Sequence, residues 1–143
     1  MWHISNFNDL TKKQLYTIMQ ERIAVFVVEQ HCPYPEIDGL DLSCYHLFYE
    51  MDGEIRAYLR VIPSESHASL GRVLVKKDYR GKGLAKELIS KGIDYCITNL
   101  EVKQINIQAQ AYLKDFYGAF GFLPVSDIYL EDNIPHMDMV LKL

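Results

Sequence analysis

The sequence predicts a single domain over residues 1–143, of mixed α/β or α+β class, with helices packed on one sheet. Its length of 143 residues is typical of one domain. Hydrophobic residues make up 49% of the chain and charged residues 24%, a composition typical of a folded protein rather than a disordered one. Segments with strand and helix periodicity follow one another without the strict βαβ repetition of a doubly wound sheet.

The first element is a helix, predicted over residues 12–28. Thr11 and Gln14 have the spacing of a capping box at its beginning. One face carries side chains spaced three and four residues apart, namely Leu15, Ile18, Met19, Arg22, Ile23 and Phe26. The prolines and the glycine of residues 29–41 cannot continue a helix, so this segment is predicted to form a long ordered loop.

Two strands are predicted next, over residues 45–51 and 55–62. Asp52 and Gly53 lie between them and are a strong hairpin signal, because a two-residue hairpin turn needs positive φ at both central positions. A loop over residues 63–68 follows. The β-branched run at residues 70–75 then predicts a central strand that is buried on both faces.

The last part of the chain predicts two helices and three strands. Apolar residues at helical spacing predict an amphipathic helix over residues 84–97. Alternation predicts a strand over residues 104–109. A short helix is predicted over residues 111–120 and is ended by Gly121, and two more strands are predicted after it.

Charge, cysteine usage and hydropathy exclude several classes of partner. The longest apolar run, at residues 23–28, is far shorter than the roughly 20 residues of a membrane-spanning helix, and the N-terminus lacks a targeting signal. The net charge of −4 argues against nucleic acid, which is bound through clustered Lys and Arg. Three widely spaced cysteines are typical of reduced thiols. We therefore predict a cytoplasmic protein that binds neither membrane nor nucleic acid.

The segment at residues 73–85 is a predicted strand, turn and helix start that is rich in glycine. Gly81 and Gly83 allow close approach of a ligand to the backbone, and the first turn of the helix presents free N–H groups. Arg80 and Lys82 add positive charge, so the segment predicts an anion site. The spacing matches neither a P-loop nor a dinucleotide-binding fingerprint.

Two motifs make the sequence resemble the GNAT superfamily of N-acetyltransferases. The first is RGKGLA at residues 80–85, which matches the Gln/Arg-x-x-Gly-x-Gly/Ala signature that follows a central strand. The second is YGAFGF at residues 117–122, which matches an aromatic helix ending in Tyr-x-x-x-Gly-Phe. The strings VFVVEQHCPY, DGLD and EDNIPH, at residues 25–34, 38–41 and 131–136, resemble the ElaA-like subfamily and extend the similarity over nearly the whole chain.

The resemblance implies a fold, a co-substrate and a reaction. The fold is a mostly antiparallel central sheet flanked by helices and splayed between its central strands. The reaction is transfer of an acetyl group from acetyl-CoA to a primary amine of a small molecule or peptide, by direct attack without a covalent enzyme intermediate. A backbone N–H of the central strand would polarise the thioester carbonyl. A homodimer is compatible with the resemblance, although no sequence feature requires it.

The resemblance also assigns site residues. The diphosphate of acetyl-CoA would bind the loop amides, and its pantetheine arm would lie beside the central strand like an added strand. Tyr117 would be the general acid that protonates the departing thiolate, with packing on the helix face as the alternative. Gln110 stands where many relatives carry an asparagine that contacts the pantetheine. The cofactor-binding residues are thus Val73, Leu74, Val75, Arg80, Gly81, Lys82, Gly83, Leu84, Ala85 and Gln110.

The general base and the role of Arg72 stay open at the level of sequence. Five residues in or beside segments near the acceptor end are candidates for the base: Glu29, Glu36, Glu131, His46 and His136. Arg72, on the central strand, is predicted to pack or to bind the acceptor. The cysteines and histidines lack the spacing of a closed zinc site, so no metal is predicted. Burial is the expected role of Cys32, Cys44 and Cys96.

Two alternatives to the acetyltransferase prediction are open. A non-catalytic acyl-CoA-binding or sensing module would keep the same loop without turnover. An enzyme that transfers a longer acyl chain would differ only in the depth of its pocket. Tyr117 favours an enzyme, because a sensor does not need a proton donor at the sulfur.

Overall fold

The sheet of this protein has eight strands, as seen in a computed structural model that describes residues 1–143. Its order is β1-β2-β3-β4-β5-β8-β6, and β7 pairs with β8. The strands are β1 Trp2–Asn6, β2 Tyr45–Met51, β3 Glu54–Pro63, β4 His67–Val75, β5 Gln104–Gln110, β6 Leu123–Pro124, β7 Tyr129–Glu131 and β8 Ile134–Lys142. The mixed α/β class and the mostly antiparallel sheet are confirmed.

Helices cover both faces of the sheet. They are α1 Lys12–Arg22, α2 Leu84–Asn99 and the short α3 Lys114–Gly118. Because successive side chains of a strand point to opposite faces, the sheet has two cores. The larger core has 16 buried residues and includes Leu88 and Ile89 of α2. The smaller core has 6 and includes Ile18 of α1.

The first helix changes its winding at Ile23. Its capping box is formed, since Thr11 Oγ accepts from the Gln14 N–H at 3.0 Å and Gln14 Oε1 accepts from the Thr11 N–H at 2.9 Å. The α-helix ends at Arg22, and a π-helix continues over Ile23–Glu29, close to the predicted end at residue 28. The wider turn rotates the face, so Ile23 is exposed and Val25 is buried, contrary to the predicted stripe.

The sheet is splayed between β4 and β5, its only parallel pair. Pairing runs from His67 and Gln104 to Leu70 and Ile107 and then stops. Beyond that point β4 pairs only with β3, and β5 pairs only with β8. The splay implied by the resemblance is therefore confirmed, and it leaves one edge of each strand open.

A β-bulge at Arg72 lies where the splay begins. Tyr58 pairs with Leu74 and Arg60 with Gly71, so a step of two residues in β3 spans three in β4. Arg72 has a φ of 51°, a left-handed conformation that a non-glycine residue rarely adopts. A bulge bends its strand and redirects the local side chains, so it turns the second half of β4 away from β5.

Several sequence predictions differ from the structure. The edge strand β1 was not predicted, because five residues give too short a pattern to recognise. β4 begins at His67, inside the predicted loop, since it pairs with both β3 and β5. In the second half of β4, Leu74 is buried but Val73 and Val75 are only half-buried, so this part is not buried on both faces, because the sheet opens there. The helix predicted over residues 111–120 is a 3₁₀ turn followed by the five residues of α3.

All three cysteines are free and buried, as the sequence analysis expected. Cys96 lies on the apolar face of α2 and is fully buried in the larger core. No helix of the protein is both long enough and apolar enough to span a bilayer.

Candidate active site

A cleft of about 920 Å³ opens where β4 and β5 separate. The bulged half of β4 forms one wall, and the ends of β5 and β8 form the other. The end of the π-helix and the loop after it close the cleft on one side, through Glu29 and Tyr34. Unpaired strand edges in a cleft offer peptide N–H and C=O groups to a ligand.

All four predicted co-substrate residues of β4 and β5 line this cleft. Val73, Leu74 and Val75 are part of its β4 wall. Gln110 is the last residue of β5 and lines the other wall, opposite His136 of β8 in the strand register. The Gln110 side chain makes no hydrogen bond within the protein, so its amide is available to a ligand.

The glycine loop before α2 presents a row of unused backbone donors. Six consecutive amides, from Gly81 to Lys86, donate no hydrogen bond within the protein, and the first helical bond runs from the Glu87 N–H to the Gly83 carbonyl at 3.2 Å. Gly81 and Gly83 have φ values of +77° and +85°, and a Cβ on either would meet nothing within 4 Å. Together with the N-terminus of α2, this row is a ready anion site.

The side chains of the loop point in different directions. Arg80 lines the cleft, where its Nε donates to the Val75 carbonyl at 2.8 Å. Its two terminal nitrogens donate to both carboxylate oxygens of Glu29, at 2.9 and 3.0 Å. Lys82 instead lies over the Tyr79 ring, 5.7 Å from its centroid, and Leu84 packs against the larger core. Ala85, in the first turn of α2, is half-buried.

Tyr117 lines the cleft and has a free hydroxyl. Its side chain is 5% exposed and packs edge-on against Phe116 and Phe122. The hydroxyl makes no hydrogen bond within the protein, and the residue lines the cleft. Burial, with a smaller contribution from Tyr112, raises the pKa of Tyr117 to about 12. The phenol is therefore protonated at neutral pH and able to donate.

The structure brings three of the five candidate bases to the cleft. Glu29, Glu131 and His136 line it. His136 Nδ1 lies 2.7 Å from the Ile134 carbonyl, which can only accept, so Nδ1 carries the hydrogen and Nε2 is free to take a proton. Glu36 and His46 are buried elsewhere, so neither is placed to act as the base.

Glu36 belongs to a largely buried ionic network, three of whose members, Asp38, Arg60 and Arg72, also line the cleft. It joins three arginines, Arg22, Arg60 and Arg72, to the three carboxylates Glu36, Asp38 and Asp41. Arg22 is fully buried and donates to Glu36 at 2.8 Å and to Asp41 at 2.6 Å. The charges balance, so the network can be buried without an uncompensated ion. It ties the loop after the first helix to β3 and β4.

Arg72 connects this network to the cleft. It lines the cleft, and its Nε donates to Glu36 at 2.7 Å while its guanidinium lies over the Tyr34 ring, 5.8 Å from the centroid. The Tyr34 hydroxyl donates to the same carboxylate at 2.9 Å. Of the roles predicted for Arg72, packing is thus evident, and it holds the bulge against the loop.

Asp38 makes the stability of this region depend on pH. Hydrogen bonds from Arg60 hold the pKa of Asp38 well below its usual range, against the opposing effect of burial. The ionised form therefore stabilises the fold above the ordinary pKa of about 4, and this contribution is lost as the pH falls through the lower folded pKa.

We expect the free energy of unfolding to fall with pH below about 4, and to fall less steeply in Asp38→Asn, which has no proton to take up at this site. Urea denaturation at a series of acidic pH values measures both slopes. Asp115→Asn, which removes an exposed carboxylate outside any ion pair, is the control. Equal slopes for Asp38→Asn and the wild type would contradict the prediction.

Asp41, Cys44 and His46 also form a compact buried group. Their potential ligand atoms lie within 4.8 Å of one another. His46 Nε2 donates to the Asp41 carbonyl at 3.0 Å, and Nδ1 accepts from the Tyr58 hydroxyl at 2.7 Å, so both ring nitrogens are used. Burial raises the pKa of Cys44 to about 11, which keeps it a thiol. These hydrogen bonds favour a structural role over metal binding or nucleophilic catalysis.

Comparison with known proteins assigns this architecture to a family. The model of the acetyltransferase (GNAT) domain matches residues 9–143. The chain belongs to the GNAT acetyltransferase family. Within this family it is ElaA-like: it is 40% identical to protein ElaA of Escherichia coli, over 99% of this chain and 96% of ElaA. GNAT enzymes transfer acyl groups from acyl-CoA to amines, so the coarse class of the reaction follows.

Solved GNAT structures share the fold. The crystal structure of E. coli ElaA matches with a TM-score of 0.95 at 40% identity, covering 99% of each chain. An acyl-CoA N-acyltransferase from Pseudomonas aeruginosa matches with a TM-score of 0.94 at 40% identity, covering 99% of this chain and 98% of the other. A GNAT family acetyltransferase from Elizabethkingia anophelis, solved with acetyl-CoA bound, matches with a TM-score of 0.68 at 12% identity, covering 100% and 97%.

Sequence reasoning missed two features of this GNAT site. The ion pair of Glu29 with Arg80 joins residues 51 positions apart, and no local pattern indicates it. The sequence also does not predict the positive φ of Arg72, since glycine is the residue expected in that conformation. Gly71, just before the bulge, was the one available signal.

Proposed function

We propose that the protein transfers an acetyl group from acetyl-CoA to a primary amine of a small molecule or peptide. The observation that carries this proposal is the row of six free amides at the beginning of α2, beside a cleft with two open strand edges. The amides fit a diphosphate, and the open edge of β4 fits the amide-containing pantetheine arm. The acetyl-CoA bound by the GNAT relative from E. anophelis supports the choice of donor.

The proposed reaction is direct attack of the free amine on the thioester carbonyl. A peptide N–H on the open edge of β4 polarises the carbonyl and stabilises the oxyanion. The bond between the carbonyl carbon and the CoA sulfur breaks as the bond to nitrogen forms, and Tyr117 gives its proton to the sulfur. The proton that the acylated nitrogen loses then returns to the Tyr117 phenolate. His136 Nε2 is placed to take a proton from the incoming ammonium, with Glu29 and Glu131 as the other acceptors in the cleft.

A screen of primary amines tests the activity. Release of the CoA thiol from acetyl-CoA, dependent on one of the amines and accompanied by the acetylated product, is the expected result. Tight binding of acetyl-CoA with no amine consumed would instead indicate a sensing module. Preference for longer acyl-CoA donors in the same screen would identify a longer-chain acyltransferase.

Gly83→Val tests the diphosphate site. The residue has a φ of +85°, and a side chain there would project into open space beside the free amides. We expect the Kd for CoA to rise at least about tenfold, because valine at a left-handed position costs roughly 1–2 kcal/mol and blocks the amides. Isothermal titration calorimetry measures the change.

Gly39→Val is the matched control for Gly83→Val. Gly39 has a φ of +83° and also faces open space, but it lies in the loop between the first helix and β2. Gly39→Val imposes the same backbone strain without touching the free amides before α2, so the Kd of this variant for CoA stays near the wild-type value. If Gly83→Val binds CoA with wild-type affinity, the glycine loop before α2 is not part of the diphosphate site.

Two further expectations accompany the proposal. We place the enzyme in the cytoplasm, an assignment supported by its three free cysteines. A homodimer is compatible with the resemblance to the family, and sedimentation of the purified protein tests it.

A further inference from the structure

In the ion pair between Glu29 and Arg80, the carboxylate of Glu29 binds the guanidinium that an anionic co-substrate would need. Arg80 directly precedes the six free amides of the loop. Its terminal nitrogens hold one carboxylate in a bidentate contact, at 2.9 and 3.0 Å. A guanidinium fork fits a phosphate group as well as it fits a carboxylate. Glu29 and the diphosphate of an acyl-CoA on these amides are therefore alternative partners of the same fork.

The ion pair between Glu29 and Arg80 contributes little to the stability of the fold, so another anion can replace Glu29 at low cost. The two side chains are 40% and 42% exposed, so water screens their attraction. The ion pairs of Arg22 with Glu36 and Asp41 differ from this pair, because the Arg22 side chain has no contact with solvent. The third contact of Arg80, from Nε to the Val75 carbonyl, involves its own loop and β4 and does not depend on Glu29. Releasing Glu29 therefore leaves Arg80 anchored beside the amides.

We propose that Glu29 is a competing anion for Arg80, and that the diphosphate of acyl-CoA displaces it. This inference rests on the proposed function, because it takes the loop amides as the diphosphate site. Displacement turns an ion-paired carboxylate into a free one inside the cleft. Since Glu29 lines the cleft, the free carboxylate attracts the ammonium form of the acceptor.

Whether Glu29→Gln tightens or weakens CoA binding distinguishes a competing role of Glu29 from a positioning role. If Glu29 competes with the diphosphate, Glu29→Gln removes the competitor and tightens CoA binding about two- to fivefold, the range of an exposed ion pair. If Glu29 merely orients Arg80 for the diphosphate, the same substitution weakens binding. Calorimetric titration with CoA measures the change, and circular dichroism confirms that the variant is folded.

Two further variants exclude a general effect of charge. Glu101→Gln removes an exposed carboxylate that makes no ion pair and does not line the cleft, so its Kd for CoA stays close to the wild-type value. In an Arg80→Gln background there is no guanidinium to release, so Glu29→Gln tightens CoA binding less than it does in the wild type. A gain from Glu29→Gln that is equal in both backgrounds, or an unchanged or weaker affinity in the wild-type background, overturns the proposal.

Failure of this inference is distinguishable from failure of the proposed function. If the wild type does not bind CoA, or if Gly83→Val binds it equally well, the diphosphate site itself is wrong. If Gly83→Val weakens CoA binding as expected while Glu29→Gln fails to tighten it, the diphosphate site is supported and the competition by Glu29 is wrong.

Discussion

Tyr117→Phe is expected to lower kcat about 100-fold or more while leaving the Kd for CoA nearly unchanged. The substitution removes only the hydroxyl, which makes no hydrogen bond within the protein and belongs to a side chain lining the cleft. Loss of a positioned proton donor typically costs 10²–10⁴-fold in rate. Steady-state kinetics with an amine found in the screen measures the effect, and calorimetry measures CoA affinity.

The pH dependence of kcat in Tyr117→Phe provides a second test of the role of Tyr117. Burial raises the pKa of Tyr117 to about 12, so the phenol keeps its proton between about pH 6 and pH 9. The loss of kcat is therefore uniform over this range, and the wild type shows no alkaline decline from Tyr117. Tyr16→Phe, at an exposed position on α1, is the control. Wild-type activity in Tyr117→Phe would reduce the residue to a packing role.

Arg22→Met is expected to destabilise the fold by about 3–5 kcal/mol. Arg22 is fully buried, and removing it leaves Glu36 with Arg72, and Asp41 with Arg60, as the remaining charged partner. Deleting one member of a buried ion pair costs this much because the remaining charge stays away from water. Urea denaturation measures the change as a lower midpoint.

Arg80→Met is the matched control for this stability prediction. It removes the same type of side chain from an ion pair that is about 40% exposed, so its cost is no more than about 1 kcal/mol. Similar destabilisation by both variants would contradict the view that burial of the network decides its importance.

Local patterns predicted the parts of the fold that depend on neighbours in the chain. The hairpin at Asp52 and Gly53, the amphipathic helix α2 and the glycine loop before it all follow from spacings of a few residues. Both hairpin residues have positive φ, as the turn requires. The change from α- to π-helix at Ile23 left no such pattern, and the edge strand β1 was too short for one.

The candidate site was predictable on the donor side and less so on the acceptor side. The loop at residues 80–85 and Tyr117 were identified from two motifs, and the structure places Arg80 and Tyr117 in one cleft. Among five candidate bases, charge and residue type alone could not separate Glu29 or His136 from Glu36 or His46. Burial made the distinction, because Glu36 and His46 are only 3% and 0% exposed.

By itself, the sequence determined the class of fold, the glycine turn before α2 and the family to which its motifs belong. These depend on periodicity, glycine placement and helix termini, which act over a few residues. The tertiary structure alone decided which charges are buried, that Arg72 bulges β4, and that Glu29 meets Arg80. Those outcomes depend on packing between distant segments, because the ionisation and partner of a side chain are set by whatever the fold brings against it.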